Sequence, residues 1–215
     1  MQEIEKLGLN SLGIVFVISV FMGAVITIQT AINISSPLIP KYLVGLASRD
    51  SIILEFSSTI VSLILAGKVG SNIASEIGTM RVTEQIDALE IMGINSAGFL
   101  VLPKVLASVS IFPFLVAISM GVGIAGGWMA GTLTGTVPSA EYIYGLQYLF
   151  IPYYVVYSLI KSVVFAFIIS TISAYWGYYT NGGALEVGRS STKAVVVSSI
   201  QILLFNLLLT QLLLI

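Results

Sequence analysis

The 215-residue chain is 57% hydrophobic and only 9% charged, with a formal net charge of −1. Soluble domains carry about 25% charged residues, so a polytopic membrane protein is nearly forced and nothing points to nucleic acid. Neither cysteine nor histidine occurs, which removes disulfides, thiol nucleophiles, the usual zinc sites and imidazole acid–base chemistry.

The N-terminal stretch MQEIEKLGLNSLGIVFVISVF does not read as a signal peptide. Its leading region is acidic rather than basic, and no small-residue cleavage site follows the apolar run. The first membrane span is expected at about residues 12–34, with Pro37 and Pro40 punctuating the loop after it. A second span is expected at about 48–66 and carries Glu55 inside it. A polar island, AGKVGSNIASEIGTMRVTEQIDALEIMG, then runs from Ala66 to Gly93. A third apolar stretch covers about 97–133, where Pro103 and Pro113 are expected to bend or start a helix. After a turn region at Thr134–Ala140 come a fourth span at about 147–178, the polar loop TNGGALEVGRSSTK and a fifth span at about 194–215. The expectation is one all-α transmembrane domain over residues 1–215, with five spans of about 20 residues or more and a polar segment at 67–96.

Five spans place the two ends on opposite sides of the membrane. With the N-terminus inside, the inner segments hold Lys6, Lys68, Arg81, Lys104, Arg189 and Lys193, and the outer ones only Lys41 and Arg49. The positive-inside rule therefore puts the island in the cytoplasm and the C-terminus outside.

The island contains Lys68, Glu76, Arg81, Glu84, Asp87 and Glu90, out of nine basic and ten acidic residues in the chain. Thr83 is the expected N-cap of a short helix, with Glu84 and Asp87 near its first turn and Gly93 as its stop. Val82, Ile86 and Leu89 fall on one face, and Thr83, Asp87 and Glu90 on another. A helix of about ten residues is marginal alone in water. Spacing alone leaves two readings open: a docking helix with an apolar back and an acidic front, or a solvated loop helix.

Glu55 and Lys161 are ionisable residues within apolar spans, where charge is costly and turns inward or toward water. Either they pair across spans two and four or they hold separate structural roles; their depths differ by about 12 Å at ~1.5 Å per residue. Gly123, Gly127, Gly131 and Gly135 form a small-xxx-small row, suited to close helix packing or, alternatively, to gating. Gly182, Gly183 and Gly188 lack the Gly-Lys-Ser/Thr of a P-loop, so energy must come from another subunit. No clustered acid–base, nucleophilic or metal-binding groups lie in the spans, which argues against an intramembrane enzyme with catalytic or metal-binding residues. The aliphatic spans argue against a channel.

The run GKVGSNIASEIGTMRVTEQIDALEIMG resembles the signature of the MlaE family, permease subunits of lipid-transporting ABC transporters. Leu54–Phe56 (LEF), Ile160–Ala166 (IKSVVFA) and Gly188–Val196 (GRSSTKAVV) resemble further family motifs in the same order. The resemblance implies five transmembrane helices, a homodimer in the bacterial inner membrane, and phospholipid moved between the inner and outer membranes. It also implies a cytoplasmic ATPase, carrying the ATP and Mg²⁺ that this chain does not bind, docked on a coupling helix at Thr83–Met92. Arg81, Thr83, Glu84, Gln85, Asp87, Ala88, Leu89 and Glu90 would be the coupling residues. A periplasmic MCE-domain lipid-binding protein is the further implied partner. Ile26, Gln29 and Thr30 match the family's cavity-lining positions; for Gln29, a hydrogen bond in helix packing is an equal alternative. A sterol or hydrocarbon cargo is the alternative to phospholipid. Family members begin with an amphipathic interfacial helix, whereas only a short polar lead precedes the first span here; either the start is an internal methionine or that helix is missing.

Overall fold

The computed structural model describes residues 3, 5–34 and 39–214. Every element among them is helical. Seven helices follow in order: α1 (Glu5–Asn33), α2 (Tyr42–Val82), α3 (Gln85–Ile91), α4 (Ser96–Leu133), α5 (Ser139–Gln147), α6 (Tyr153–Tyr178) and α7 (Ala184–Leu214). Five of them, α1, α2, α4, α6 and α7, are long and apolar enough to cross a membrane. Helices are the natural outcome for such a sequence, because backbone N–H and C=O groups in hydrocarbon have no water to bond and must be satisfied within the segment. The expected break at Pro37 lies outside the described residues.

The spans are longer than their apolar cores. α2 runs on for 41 residues, so the first half of the polar island is a continuation of the second span. α7 begins at Ala184, so the stretch read as a polar loop supplies its first turns. α4 stays helical through Pro103 and Pro113, and α5 is a separate short helix lying mostly between the expected turn and the expected fourth span. Widened π-type turns occur at Glu5–Leu9, Ile52–Ile60 and Ala66–Gly70.

The chain divides into two compact units. The first comprises Met1–Ser11, Ser62–Pro113 and Lys161–Ile215; the second comprises Leu12–Val61 and Phe114–Ile160.

In the first unit, ion pairs gather the α3-side ends of the helices. Glu76 of α2 accepts from Lys6 at 2.9 Å and from Lys104 of α4 at 2.8 Å. Lys104, almost wholly buried, also reaches Glu3 at 3.1 Å. Lys68 donates to the Asn10 carbonyl. Ser191 of α7 bonds the Ser71 carbonyl at 2.9 Å and lies 3.0 Å from the Ser71 hydroxyl.

In the second unit, α1 and α4 cross with almost no space between their backbones. A Cβ at Gly23 would run into the Gly123 carbonyl, and one at Gly126 would lie 2.5 Å from the Val20 carbonyl. Ser19 donates to Ser119 at 2.8 Å across the same crossing. The glycine row thus packs α4 against α1 at Gly123 and Gly127, as small-xxx-small rows do. Gly135 lies beyond the helix, in a turn with φ of 67°.

Candidate functional site: the α3 helix and the intramembrane charges

α2 ends at Val82, and Thr83 closes it as its C-cap rather than opening α3. The Thr83 hydroxyl donates back to the Thr79 carbonyl at 2.8 Å and accepts from the Gln85 side-chain amide at 3.0 Å. Glu84 stands at the N-cap instead, with φ of 59°. That left-handed conformation is uncommon for a residue with a side chain, and it turns the chain sharply from α2 into α3. α3 itself is seven residues long, shorter than the ten expected.

The C-terminal end of α3 follows the expected rule. Gly93 has φ of 76°; its N–H bonds the Glu90 carbonyl at 2.9 Å and the Ile94 N–H bonds the Leu89 carbonyl at 3.0 Å. These are the two bonds of a Schellman motif, whose left-handed residue favours glycine.

The helix is fixed from behind. Ile86 is fully buried and Leu89 half-buried, while Val82 belongs to α2. Arg81 pairs with Asp87 at 2.6 Å and lies over the Tyr178 ring, 6.0 Å from its centroid. Tyr178 of α6 donates to Glu90 Oε1 at 2.8 Å, and Ser96 of α4 donates to the same oxygen at 2.8 Å. Both bonds favour the ionised carboxylate and hold the Glu90 pKa below its ordinary value.

The expected acidic front is therefore not a free front: Asp87 and Glu90 are engaged within the chain. Glu84, Gln85, Ala88, Glu90, Ile91 and Met92 are exposed, and of these Glu90 is the one bonded to Tyr178 and Ser96. Ile91 is 87% exposed and Met92 65%. Sequence reading missed this pair because it placed only Val82, Ile86 and Leu89 on the apolar face and assigned Ile91 and Met92 to neither face. Ile91 lies five residues after Ile86, roughly 140° round the helix, and that angle was the available signal.

The intramembrane positions fall in different units. Glu55 sits in the widened stretch Ile52–Ile60 of α2 and accepts from Thr59 at 3.0 Å. Lys161 of α6 is wholly buried. Of the three residues assigned to a substrate path, Ile26 is buried, Thr30 half-buried and Gln29 exposed. Ile26 helps line a crevice with Met22, Phe56 and Ile60. The crevice holds about 10 Å³, roughly the threshold for one water molecule, so it is not itself a lipid cavity.

The sequence matches the family described as Permease MlaE over residues 1–212. This chain belongs to the MlaE permease family. It is 40% identical to a probable ABC transporter permease protein of Rickettsia bellii, over 99% of this chain and 82% of the relative. It is 35% identical to the probable ABC transporter permease protein slr1045 of Synechocystis, over 99% of this chain and 80% of the relative. It is also 34% identical to the chloroplastic protein TRIGALACTOSYLDIACYLGLYCEROL 1 of Arabidopsis thaliana, over 98% of this chain and 60% of the relative. Within an MlaE permease, the compact α3 helix falls between two membrane-crossing helices, α2 and α4.

Proposed function

We propose that this chain is the membrane subunit of an ABC transporter that moves phospholipid between the inner and outer membranes, and that α3 is where its separate ATPase docks. The observation that carries the docking reading is the division of α3. Ile86, Asp87 and Glu90 hold it to the rest of the chain, while Glu84, Gln85, Ala88, Ile91 and Met92 stay open. A small alanine flanked by exposed Ile and Met suits a shallow apolar groove, with Glu84 at its edge. Arg81 and Leu89 act in this reading as supports behind the contact surface, with exposed Thr83 at its edge. ATP and Mg²⁺ are then the partner's.

The lipid part of the reading is supported by the family and by a relative whose name is that of a galactolipid. The excess of Lys and Arg on the α3 side favours a cytoplasmic N-terminus and α3, a periplasmic C-terminus, and the bacterial inner membrane as location. The most apolar stretch of α7 is only 11% buried within the chain, which leaves room for a second copy in a homodimer. Exposed Gln29, with Ile26 and Thr30 on the same helix face, then belongs beside a lipid path between the copies. A periplasmic MCE-domain protein would receive or deliver the lipid.

The test is co-purification of the ATPase with Ala88→Arg and Ile91→Glu variants. Loss of the ATPase with normal membrane insertion is the expected result, and wild-type recovery sinks the docking assignment. Glu84→Lys should weaken recovery less. Mass spectrometry of lipid bound to the purified complex separates phospholipid from a sterol or hydrocarbon cargo.

A further inference from the structure

The segment after α5 reads YLFIPY from Tyr148 to Tyr153 and carries no charged side chain. A loop in water is ordinarily polar, because its backbone and side chains face solvent. Here Leu149 is 70% exposed, Phe150 47% and Ile151 43%. An exposed apolar patch of this kind marks a membrane or a partner surface.

The segment is not loose. α5 is pressed onto α2: a Cβ at Gly45 would lie 2.5 Å from the Tyr142 carbonyl, and one at Gly145 would run into the Tyr42 carbonyl. Arg49 of α2 is 3% exposed. Its Nη1 donates to the Leu146 carbonyl at 2.7 Å and the Tyr148 carbonyl at 2.9 Å, and its Nη2 to the Leu149 carbonyl at 3.5 Å. Asp50 accepts from Nε at 2.9 Å. A guanidinium has five donors in a fixed fork, and here they close the end of α5, where carbonyls lack helical partners and cations are favoured. The clamp holds Leu149 at φ of 48°, a conformation rare for leucine. It thereby turns three consecutive apolar side chains outward.

We propose that Tyr148–Tyr153 is a wedge seated in the headgroup–acyl boundary of the bilayer, and that Arg49 is the residue that positions it. Continuity identifies the occupant. α5 follows the end of α4 by a short turn, so it lies at the membrane face where that span finishes. Two residues beyond Ile151, α6 begins, and its exposed Tyr153, Val156 and Ile160 recur at helical spacing along a face that a membrane span presents to lipid. The wedge extends that face without a polar break. Tyr42, Tyr144 and Tyr148 cluster beside it with ring centroids 5.2–5.7 Å apart, and tyrosines concentrate at the bilayer interface because one end is apolar and the other wet.

The chain has no native cysteine, so a single Leu149→Cys variant of the full chain can carry a nitroxide label after reconstitution into phosphatidylethanolamine–phosphatidylglycerol vesicles. Ile151→Cys supplies a second position if Leu149→Cys fails to insert. Collision with O₂, which concentrates in lipid, is compared with collision with a water-soluble nickel chelate. The expected O₂-to-nickel ratio exceeds that of a Gln85→Cys reference, on the exposed polar face of α3, several-fold. A ratio equal to the reference places the segment in water, as a surface for a soluble partner, and overturns the proposal. Low collision with both reagents means protein covers it and overturns the proposal equally. Adding Arg49→Gln to the labelled chain is expected to move the ratio toward the reference; an unchanged ratio removes Arg49 from the assignment.

Discussion

The Tyr178 hydroxyl donates to Glu90 Oε1 at 2.8 Å, so the last turn of α3 is tied to the end of a membrane-crossing helix. Ser96, at the start of α4, shares the same oxygen. One carboxylate oxygen thus joins three elements of the first unit.

This link predicts separation of ATP hydrolysis from transport. Tyr178→Phe and Glu90→Gln should retain ATPase co-purification and lose several-fold in lipid transferred per ATP hydrolysed. Equal transfer per ATP in variant and wild type would show the link to be packing only. The pH dependence has a defined sign. The Glu90 pKa is lowered by the Tyr178 and Ser96 bonds, so its contribution is complete above the ordinary glutamate value and disappears only as pH falls through the lowered one. Pepsin cleavage at the α3 segment should therefore stay slow at pH values where ordinary glutamates are half protonated, then rise; Glu90→Gln should remove that step.

Glu84 carries backbone strain at the entry to α3. Its left-handed φ of 59° costs a residue with a Cβ about 1 kcal/mol. Glu84→Gly should relieve that and raise the thermal midpoint of the purified protein, while weakening ATPase recovery. A lower midpoint would mean that the Glu84 side chain contributes more than the strain removes.

Glu76 and Lys104 give a test of buried charge. Removing Glu76 strips Lys104 of one of its two carboxylates. Glu76→Ala should destabilise by about 3 kcal/mol, whereas Glu76→Met with Lys104→Met together should be milder, since no buried charge is left uncompensated. Thermal unfolding in detergent reads the difference. A double variant as damaged as the single would show that geometry rather than charge dominates.

Glu55 and Lys161 are opposite charges, each within a stretch that resembles a family motif. Reversing either alone should abolish transport. Reversing both should restore a measurable fraction of it if they act as a pair. No recovery assigns them separate roles.

The five spans were legible because apolar runs of that length have few other fates. The continuation of α2 through the island was not. Glu76 and Lys68 read locally as loop charges; their partners Lys6, Lys104 and Asn10 are distant in sequence, and a local window cannot show that such charges are satisfied inside a bundle. α5 was missed because residues 141–146 fall between the expected turn and the expected fourth span, and a helix of nine residues carries little periodic signal of its own. On α3, Gly93 was readable because glycine at a left-handed stop is a local matter. Thr83 misled because α2 continues up to Val82, which makes Thr83 the end of one helix and leaves the N-cap position to Glu84. Tyr178 could not be found at all without the fold that brings α6 to Glu90.

At 41 residues and about 1.5 Å per residue, α2 is roughly 60 Å long, near twice the ~30 Å of bilayer hydrocarbon. A helix of that length cannot lie wholly in hydrocarbon. Lys68, Glu76 and Arg81 all fall in its second half, so that half is the one suited to leave the hydrocarbon, with its charges already matched by ion pairs at Glu76 and Arg81.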